Sequence, residues 1–241
     1  MPRYYPIMMD IRGRRCLVVG GGAVAARKVD ALLGAGGSVT VVAPELHAEL
    51  QALRDQRLIE HLNREYRPED LDGTVLVFAA TDNPEVNRTV CSEAKTRGVS
   101  VNSVTQPEEG TFIVPAMIHR GELTVAISTG GVSPALAQCL RRALEEELGQ
   151  EYEDLLCLLQ GIRPKILQAI PAQQDRQMLF DRIVNSDLLR LLKERNRDAA
   201  LSRLTDLLGE AGIAIDPGEL LSSHRESSVQ SAVTGELADE I

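Results

Sequence analysis

Short apolar runs alternate with helical stretches through the first hundred residues. Cys16-Leu17-Val18-Val19 is a β-rich run that ends at Gly20-Gly21-Gly22. Residues 23–33 read as a helix, closed by Gly34, Gly36 and Gly37. A second strand is predicted over 38–42 (SVTVV), stopped by Pro44. A helix is expected over 49–57, a short strand over 58–62, and a strand covered on both faces over 75–80 (VLVFAA). Thr81-Asp82-Asn83-Pro84 predicts a turn into a helix that runs to about Arg97, with Asp82 or Asn83 as cap and Pro84 near its start. Residues 99–104 (VSVNSV) predict the next strand. This alternation is the mark of an α/β fold with a doubly wound parallel sheet, here over residues 1–112.

The pattern then changes. Residues 111–116 and 123–128 read as strands around a turn at His119-Arg120-Gly121-Glu122. Ser128-Thr129-Gly130-Gly131-Val132-Ser133-Pro134 predicts a Gly-rich loop that ends in a Ser cap with Pro at the first helical position. The helix that follows places Leu136, Leu140, Leu144 and Leu148 on one stripe, and Gly149 ends it. Residues 151–209 read as helical throughout. Leu155, Leu158, Leu159, Ile162, Ile166 and Ile170 form one apolar face, interrupted by Gly161 and Pro164. The chain beyond Ser222 is polar and Ser-rich, as in a disordered tail. The expected division is therefore 1–112, 113–150, 151–215 and a tail over 216–241. Long apolar helices after residue 134 exceed what one small sheet covers, which predicts a second copy of the chain as partner.

Charge narrows the partners. Across 241 residues, 26 Lys and Arg stand against 35 Asp and Glu, a net charge of −9. That balance argues against a nucleic-acid partner, because phosphate binding needs clustered Lys and Arg. No apolar run reaches the roughly 20 residues that span a bilayer. The first ten residues lack the pattern of a signal peptide, so a cytoplasmic protein is expected. Trp is absent and Phe and Tyr are few, so aliphatic side chains must fill the core. The four cysteines, Cys16, Cys91, Cys139 and Cys157, show no CxxC spacing. They are expected as small apolar residues and not as metal ligands.

The strongest chemical signal is Gly20-x-Gly22-x-x-Ala25, which follows a strand and opens a helix. Gly20 permits the tight turn, Gly22 lets backbone approach a pyrophosphate, and Ala25 allows close helix–strand packing. Free N–H groups and the helix dipole favour the phosphate charge. Gly20, Gly21, Gly22, Ala23 and Val24 are thus candidate cofactor contacts. The acid for the ribose hydroxyls belongs at the tip of the second strand, where Ala43-Pro44-Glu45 stands. Glu45 is the nearest carboxylate, and no Arg or Lys lies beside it in sequence, which favours NAD over NADP. Thr81 and Asp82, after the third apolar run, complete the candidate cofactor set. The loop at Ser128, Thr129, Gly130, Gly131 and Ser133 is a second helix start suited to an anion. Arg120, Arg141 and Arg142 are candidate carboxylate partners.

In order along the chain, CLVVGGGAVAARKVDALL, VTVVAPEL, FAATDNPEVN, VNSV-x-x-P, FIVPAMI and VAISTGGVSPALA resemble the precorrin-2 dehydrogenase and sirohydrochlorin ferrochelatase family, the N-terminal module of siroheme synthase. The resemblance covers about residues 4–210. It implies a Rossmann-type domain, a dimerisation region and a helical C-terminal domain, working as a homodimer. It implies NAD-dependent oxidation of precorrin-2 to sirohydrochlorin. In some members the same pocket then inserts ferrous iron to give siroheme. The methyltransferase domain of multifunctional members is not expected within this length. In the family the loop at 128–133 lies near the tetrapyrrole, and Arg27 and Lys28 match the family pattern. Members commonly carry an Asp just after the strand that holds Asn102, and this Asp is implicated in both reactions. The matching residue here is Thr105. A hydroxyl is no base near neutral pH unless activated. Glu108, Glu109 and Asp82 are nearby carboxylates, His119 is a further candidate proton acceptor, and the Asn102 amide is a candidate contact for cofactor or substrate. The change bears on chelation more than on hydride transfer, which depends largely on positioning. Three readings follow: dehydrogenase with chelatase, dehydrogenase alone, or a non-catalytic binder of NAD and tetrapyrrole. An NAD-sensing regulator is disfavoured, since no basic recognition helix is present.

Overall fold

A computed structural model describes residues 4–215, which divide into two compact units, one ending at Val114 and the other beginning at Pro115. In the first unit, β1 (Arg15–Val19), β2 (Ser38–Val42), β3 (Ile59–Leu62), β4 (Leu76–Ala79) and β5 (Ser100–Ser103) form one parallel sheet in the order β3-β2-β1-β4-β5. Helices α1 (Ala23–Gly34), α2 (Ala48–Asp55) and α3 (Pro84–Thr96) connect the strands. This is the Rossmann-type doubly wound arrangement. β1 pairs with β2 on one side and β4 on the other, Val19 opposite both Val42 and Ala79. The order reverses at β1, the point beside which open α/β sheets bind ligands at the carboxyl ends of their strands.

Alternation along the strands divides the core. Cys16 and Val18 pack with Ala25, Val29 and Leu32 of α1 and Leu50 of α2. Leu17 and Val19 pack on the opposite face with Val90, Cys91 and Ala94 of α3. β4 is buried at every position, as its unbroken apolar run predicts. Of the two expected caps, Asn83 serves α3: its side chain accepts from the N–H groups of Glu85 and Val86 at 2.9 and 3.4 Å. The chain after β5 departs from expectation. Residues 111–115 form no strand; instead the N–H groups of Thr111 and Phe112 both donate to the Val101 carbonyl.

The second unit opens with a hairpin, β6 (Ala116–Arg120) and β7 (Leu123–Ile127). It closes on Gly121 and Glu122 alone, with Gly121 at φ 55°. His119 and Arg120, read from sequence as turn residues, therefore belong to β6. Helix α4 (Pro134–Glu147) follows, then α5 (Glu151–Ala169), α6 (Gln173–Val184), α7 (Leu188–Lys193) and α8 (Arg197–Glu210). α5 runs unbroken through Gly161 and Pro164, contrary to the expected interruption. A proline removes one helical hydrogen bond; here the face of Leu155, Leu158, Ile162 and Ile166 stays packed in the helical core on both sides of it. On α4 the stripe is turned outward: Leu136, Leu140 and Leu144 are 50%, 43% and 38% exposed. Cys139 is exposed as well, unlike the buried Cys16 and Cys91. No described helix is long and apolar enough to cross a membrane. The predicted tail lies outside the described residues.

Candidate functional site

Three glycines at the end of β1 serve three different purposes. Gly20 sits at φ 126°, and a Cβ there would overlap the Ala80 carbonyl, so β1 and β4 can approach only without a side chain. A Cβ on Gly21 would overlap the Glu45 carbonyl, and the Gly21 carbonyl accepts from the His47 N–H at 2.7 Å. This draws Ala43, Pro44 and Glu45 against the turn. Gly22 faces open space, and nothing in the fold requires it to lack a side chain. It is the cap residue of α1 yet makes no side-chain cap, and the first turn holds no acid. The first helical bond runs from the Ala26 N–H to the Gly22 carbonyl. The N–H groups of Ala23, Val24 and Ala25 are therefore left without a carbonyl partner within the helix. An uncapped helix start with an open approach is a cradle for the pyrophosphate of a dinucleotide.

Beside it, Pro44, Glu45, Leu46, Gln51, Arg54, His61 and Asn63 line a cavity of about 310 Å³. His61 donates through Nε2 to the Ala43 carbonyl at 2.9 Å, since a carbonyl can only accept. Glu45 is exposed at this rim. The absence of a neighbouring cation holds only along the chain. α2 folds back and sets Arg54 in the wall that holds Glu45. Arg54 is bound in turn: its Nε and Nη2 donate to the Asp55 carboxylate at 3.0 and 2.8 Å.

On the other side of β1, the turns after β4 and β5 are joined by Asn87, a residue the sequence reading missed. Asn87 is 1% exposed. Its Oδ1 accepts from the Thr81 N–H at 3.1 Å and lies 2.7 Å from the Thr81 hydroxyl. Its Nδ2 donates to the Thr81 carbonyl at 2.9 Å and to Thr105 Oγ1 at 3.2 Å. One helical turn separates Asn87 from the Asn83 cap, a spacing that could have drawn attention to it. Asp82 is exposed beside Thr81, and Thr105 is also exposed. Glu108 is exposed, whereas Glu109 is ion-paired with Arg88 at 3.2 Å. Asn102 does not face outward. It is 7% exposed and its Nδ2 donates to the Phe112 carbonyl at 3.0 Å, holding the segment that returns from β5. Lys28 turns its ammonium toward the Phe78 ring, 5.9 Å from the centroid, and burial pushes its pKa down, with Arg27 adding to this. Arg27 is exposed.

In the second unit, the loop before α4 is bonded to itself. Ser133 Oγ accepts from the Leu136 N–H at 3.2 Å. Thr129 Oγ1 accepts from the Ser133 N–H and donates to the Ser133 carbonyl, at 3.1 and 3.0 Å. Ser128 Oγ accepts from the Gly130 N–H at 3.1 Å. Gly130 and Gly131 take φ of 63° and 87°, which the turn requires. Arg120, expected as a carboxylate partner, is committed elsewhere. Its Nε donates to the Leu148 carbonyl at 2.8 Å, and its two terminal nitrogens meet the carbonyls of His119 and Glu145. It closes the end of α4, where carbonyls lack partners. Arg141 pairs with Glu145 at 2.6 Å. His119 is exposed on β6, with Nδ1 3.1 Å from the Thr124 hydroxyl. Among the described residues, no group of three His, Cys, Asp or Glu side chains could hold a metal ion.

A family model described as putative NAD(P)-binding matches residues 7–116, and one described as sirohaem biosynthesis protein central matches 120–147. The siroheme synthase of Thioalkalivibrio sulfidiphilus is 42% identical over 210 residues, covering 87% of this chain and 43% of its own. That of Methylobacillus flagellatus is 41% identical over 207 residues, covering 86% and 44%. The chain thus spans less than half the length of these relatives. A solved structure of SirC, precorrin-2 dehydrogenase, matches with a TM-score of 0.70 at 29% identity, over 83% of this chain and 98% of its own.

Proposed function

The chain belongs to the siroheme synthase and precorrin-2 dehydrogenase family, and on that premise we propose that it is a cytoplasmic enzyme that oxidises precorrin-2 to sirohydrochlorin with NAD. The observation that carries this reading is the start of α1, uncapped and open at Gly22. The N–H groups of Ala23, Val24 and Ala25 hold the pyrophosphate, and Glu45 holds the ribose hydroxyls. Bound NAD supplies the hydride acceptor. The exposed Glu45 carboxylate supports NAD over NADP, because a 2′-phosphate would meet its like charge at this rim. The chain's own part is to orient the reactants and exclude water from them. The exposed carboxylates of Asp82 and Glu108 are the nearby groups able to take the proton that leaves with the hydride.

The loop at Ser128, Gly130 and Gly131 is the proposed carboxylate contact of the tetrapyrrole. The outward stripe Leu136, Leu140 and Leu144 is the proposed homodimer surface. A second reading, dehydrogenation without ferrochelation, is favoured by Thr105. Ferrous iron is substrate in the chelation step, which must strip two pyrrole protons, and position 105 offers no carboxylate to receive them. An anaerobic assay separates the readings. Precorrin-2 with NAD is expected to give NADH and the sirohydrochlorin spectrum; silence there overturns the dehydrogenase. Sirohydrochlorin with ferrous iron, in a second tube, decides chelation.

A further inference from the structure

Resting on the NAD-binding reading, we propose that Asn87 is a positioning residue that fixes Thr105 as a hydrogen-bond donor to the carboxamide oxygen of the nicotinamide. The orientation of the Asn87 amide has one solution. The Thr81 N–H can only donate, so it assigns Oδ1 of Asn87 as the acceptor. The Thr81 carbonyl can only accept, so it assigns Nδ2 as the donor. The remaining Nδ2 hydrogen points to Thr105 Oγ1, which must accept it. The hydroxyl hydrogen of Thr105 then has no acceptor among the described residues, and the side chain is exposed. A hydroxyl oriented in this way is a preset donor, and an amide as deeply buried as Asn87 cannot reverse it without leaving a backbone group unpaired.

Placement identifies the acceptor. The dinucleotide crosses the sheet at the reversal of strand order. Its adenosine half lies toward β2 and β3, where Glu45 and the cavity are. Its nicotinamide half then lies toward β4 and β5, whose tips carry Thr81 and Thr105. The Val104 N–H donates to the Ala79 carbonyl at 3.1 Å, holding these two tips together.

The test is calorimetric binding of NAD and of ADP-ribose, which lacks the nicotinamide. Thr105→Val is expected to weaken NAD about fivefold, the worth of one neutral hydrogen bond, and to leave ADP-ribose unchanged. Thr105→Ser should restore NAD binding. Asn87→Asp draws the Thr105 hydrogen inward and should mimic Thr105→Val, with no further loss in the double variant. Wild-type NAD affinity in Thr105→Val overturns the proposal, as does equal weakening of both ligands. Unchanged NAD affinity with a raised KM for the tetrapyrrole also overturns it and moves the hydroxyl to the substrate. Failure of the unsubstituted chain to bind either ligand is a separate result, which removes the NAD-binding reading itself.

Discussion

The two Gly-rich helix starts look alike in sequence and differ in what they leave unsatisfied. α1 begins at Gly22 with no side-chain cap and no acid in its first turn, and a Cβ on Gly22 would meet nothing. α4 begins at Ser133, whose hydroxyl caps the helix while Thr129 latches the loop from both sides. The first N–H groups of an uncapped helix start are left to water or to a ligand. A capped start satisfies one of them on folding. The first is therefore open to an anion. The second is a rigid support that can offer at most its remaining groups, such as the Ser128 hydroxyl. Glycine content alone does not distinguish them; the polar side chains around it do.

The largest test of this contrast is Gly22→Asp. Its Cβ meets nothing, so the thermal midpoint should stay within a degree or two of its starting value. NAD affinity should fall about a hundredfold or more, from charge conflict with the pyrophosphate and loss of close approach; undiminished affinity by calorimetry would sink the α1 site. The next effect lies outside both helix starts and shows what pure stability looks like. Burial alone would raise the pKa of Asp70, but two bonds from Arg64 and one from the Arg67 N–H hold it below the usual carboxylate range. A depressed carboxyl stabilises the fold above the unfolded pKa and loses that contribution as pH falls through the folded value. Asp70→Asn should cost about 2 kcal/mol at pH 7 and flatten the acid limb of the stability profile, read by denaturant titration from pH 6 to pH 2. Persistence of that limb would assign it to other carboxyls.

Smaller still, Ser133→Ala should cost about 1 kcal/mol of stability through the lost cap and leave NAD affinity unchanged. A loss of NAD affinity would mean the α4 start also serves the cofactor. The finest probe exchanges the roles. Gly22 has extended backbone, φ −84° and ψ −177°, which suits a serine cap. Gly22→Ser should let α1 satisfy itself, with a few tenths of a kcal/mol gained in stability and NAD weakened about threefold. Tighter NAD binding in this variant would show that the added hydroxyl contacts the cofactor instead of the helix.

Much of the fold was legible because it rests on local periodicity. All five strands of the parallel sheet lie where short apolar runs predict them, and α1, α2, α3 and α4 lie within a few residues of their expected spans. The turn at Gly20, Gly21 and Gly22 was legible for the same reason, since strand, turn and helix are adjacent in the chain. The misreadings involve long-range partners. Thr111 was read as strand, but its N–H and hydroxyl are claimed by Val101. Asn102 was a candidate contact for cofactor or substrate, and its Nδ2 donates to the Phe112 carbonyl. Arg120 was read as a carboxylate partner, but the end of α4, more than twenty residues on, holds its guanidinium.

The order of apolar and polar residues was enough to set a doubly wound sheet, a dinucleotide turn and a helical second half, because each depends on neighbours a few residues apart. It left undetermined the direction in which each polar group is spent. Arg54 enters the wall beside Glu45 only when α2 folds back, and Asn87 on α3 meets Thr105 only when that helix packs against the turn that follows β5. Hydrogen bonds are short and directional, so a polar residue's role is settled by which partner comes within about 3 Å, and that distance exists only after the chain has folded.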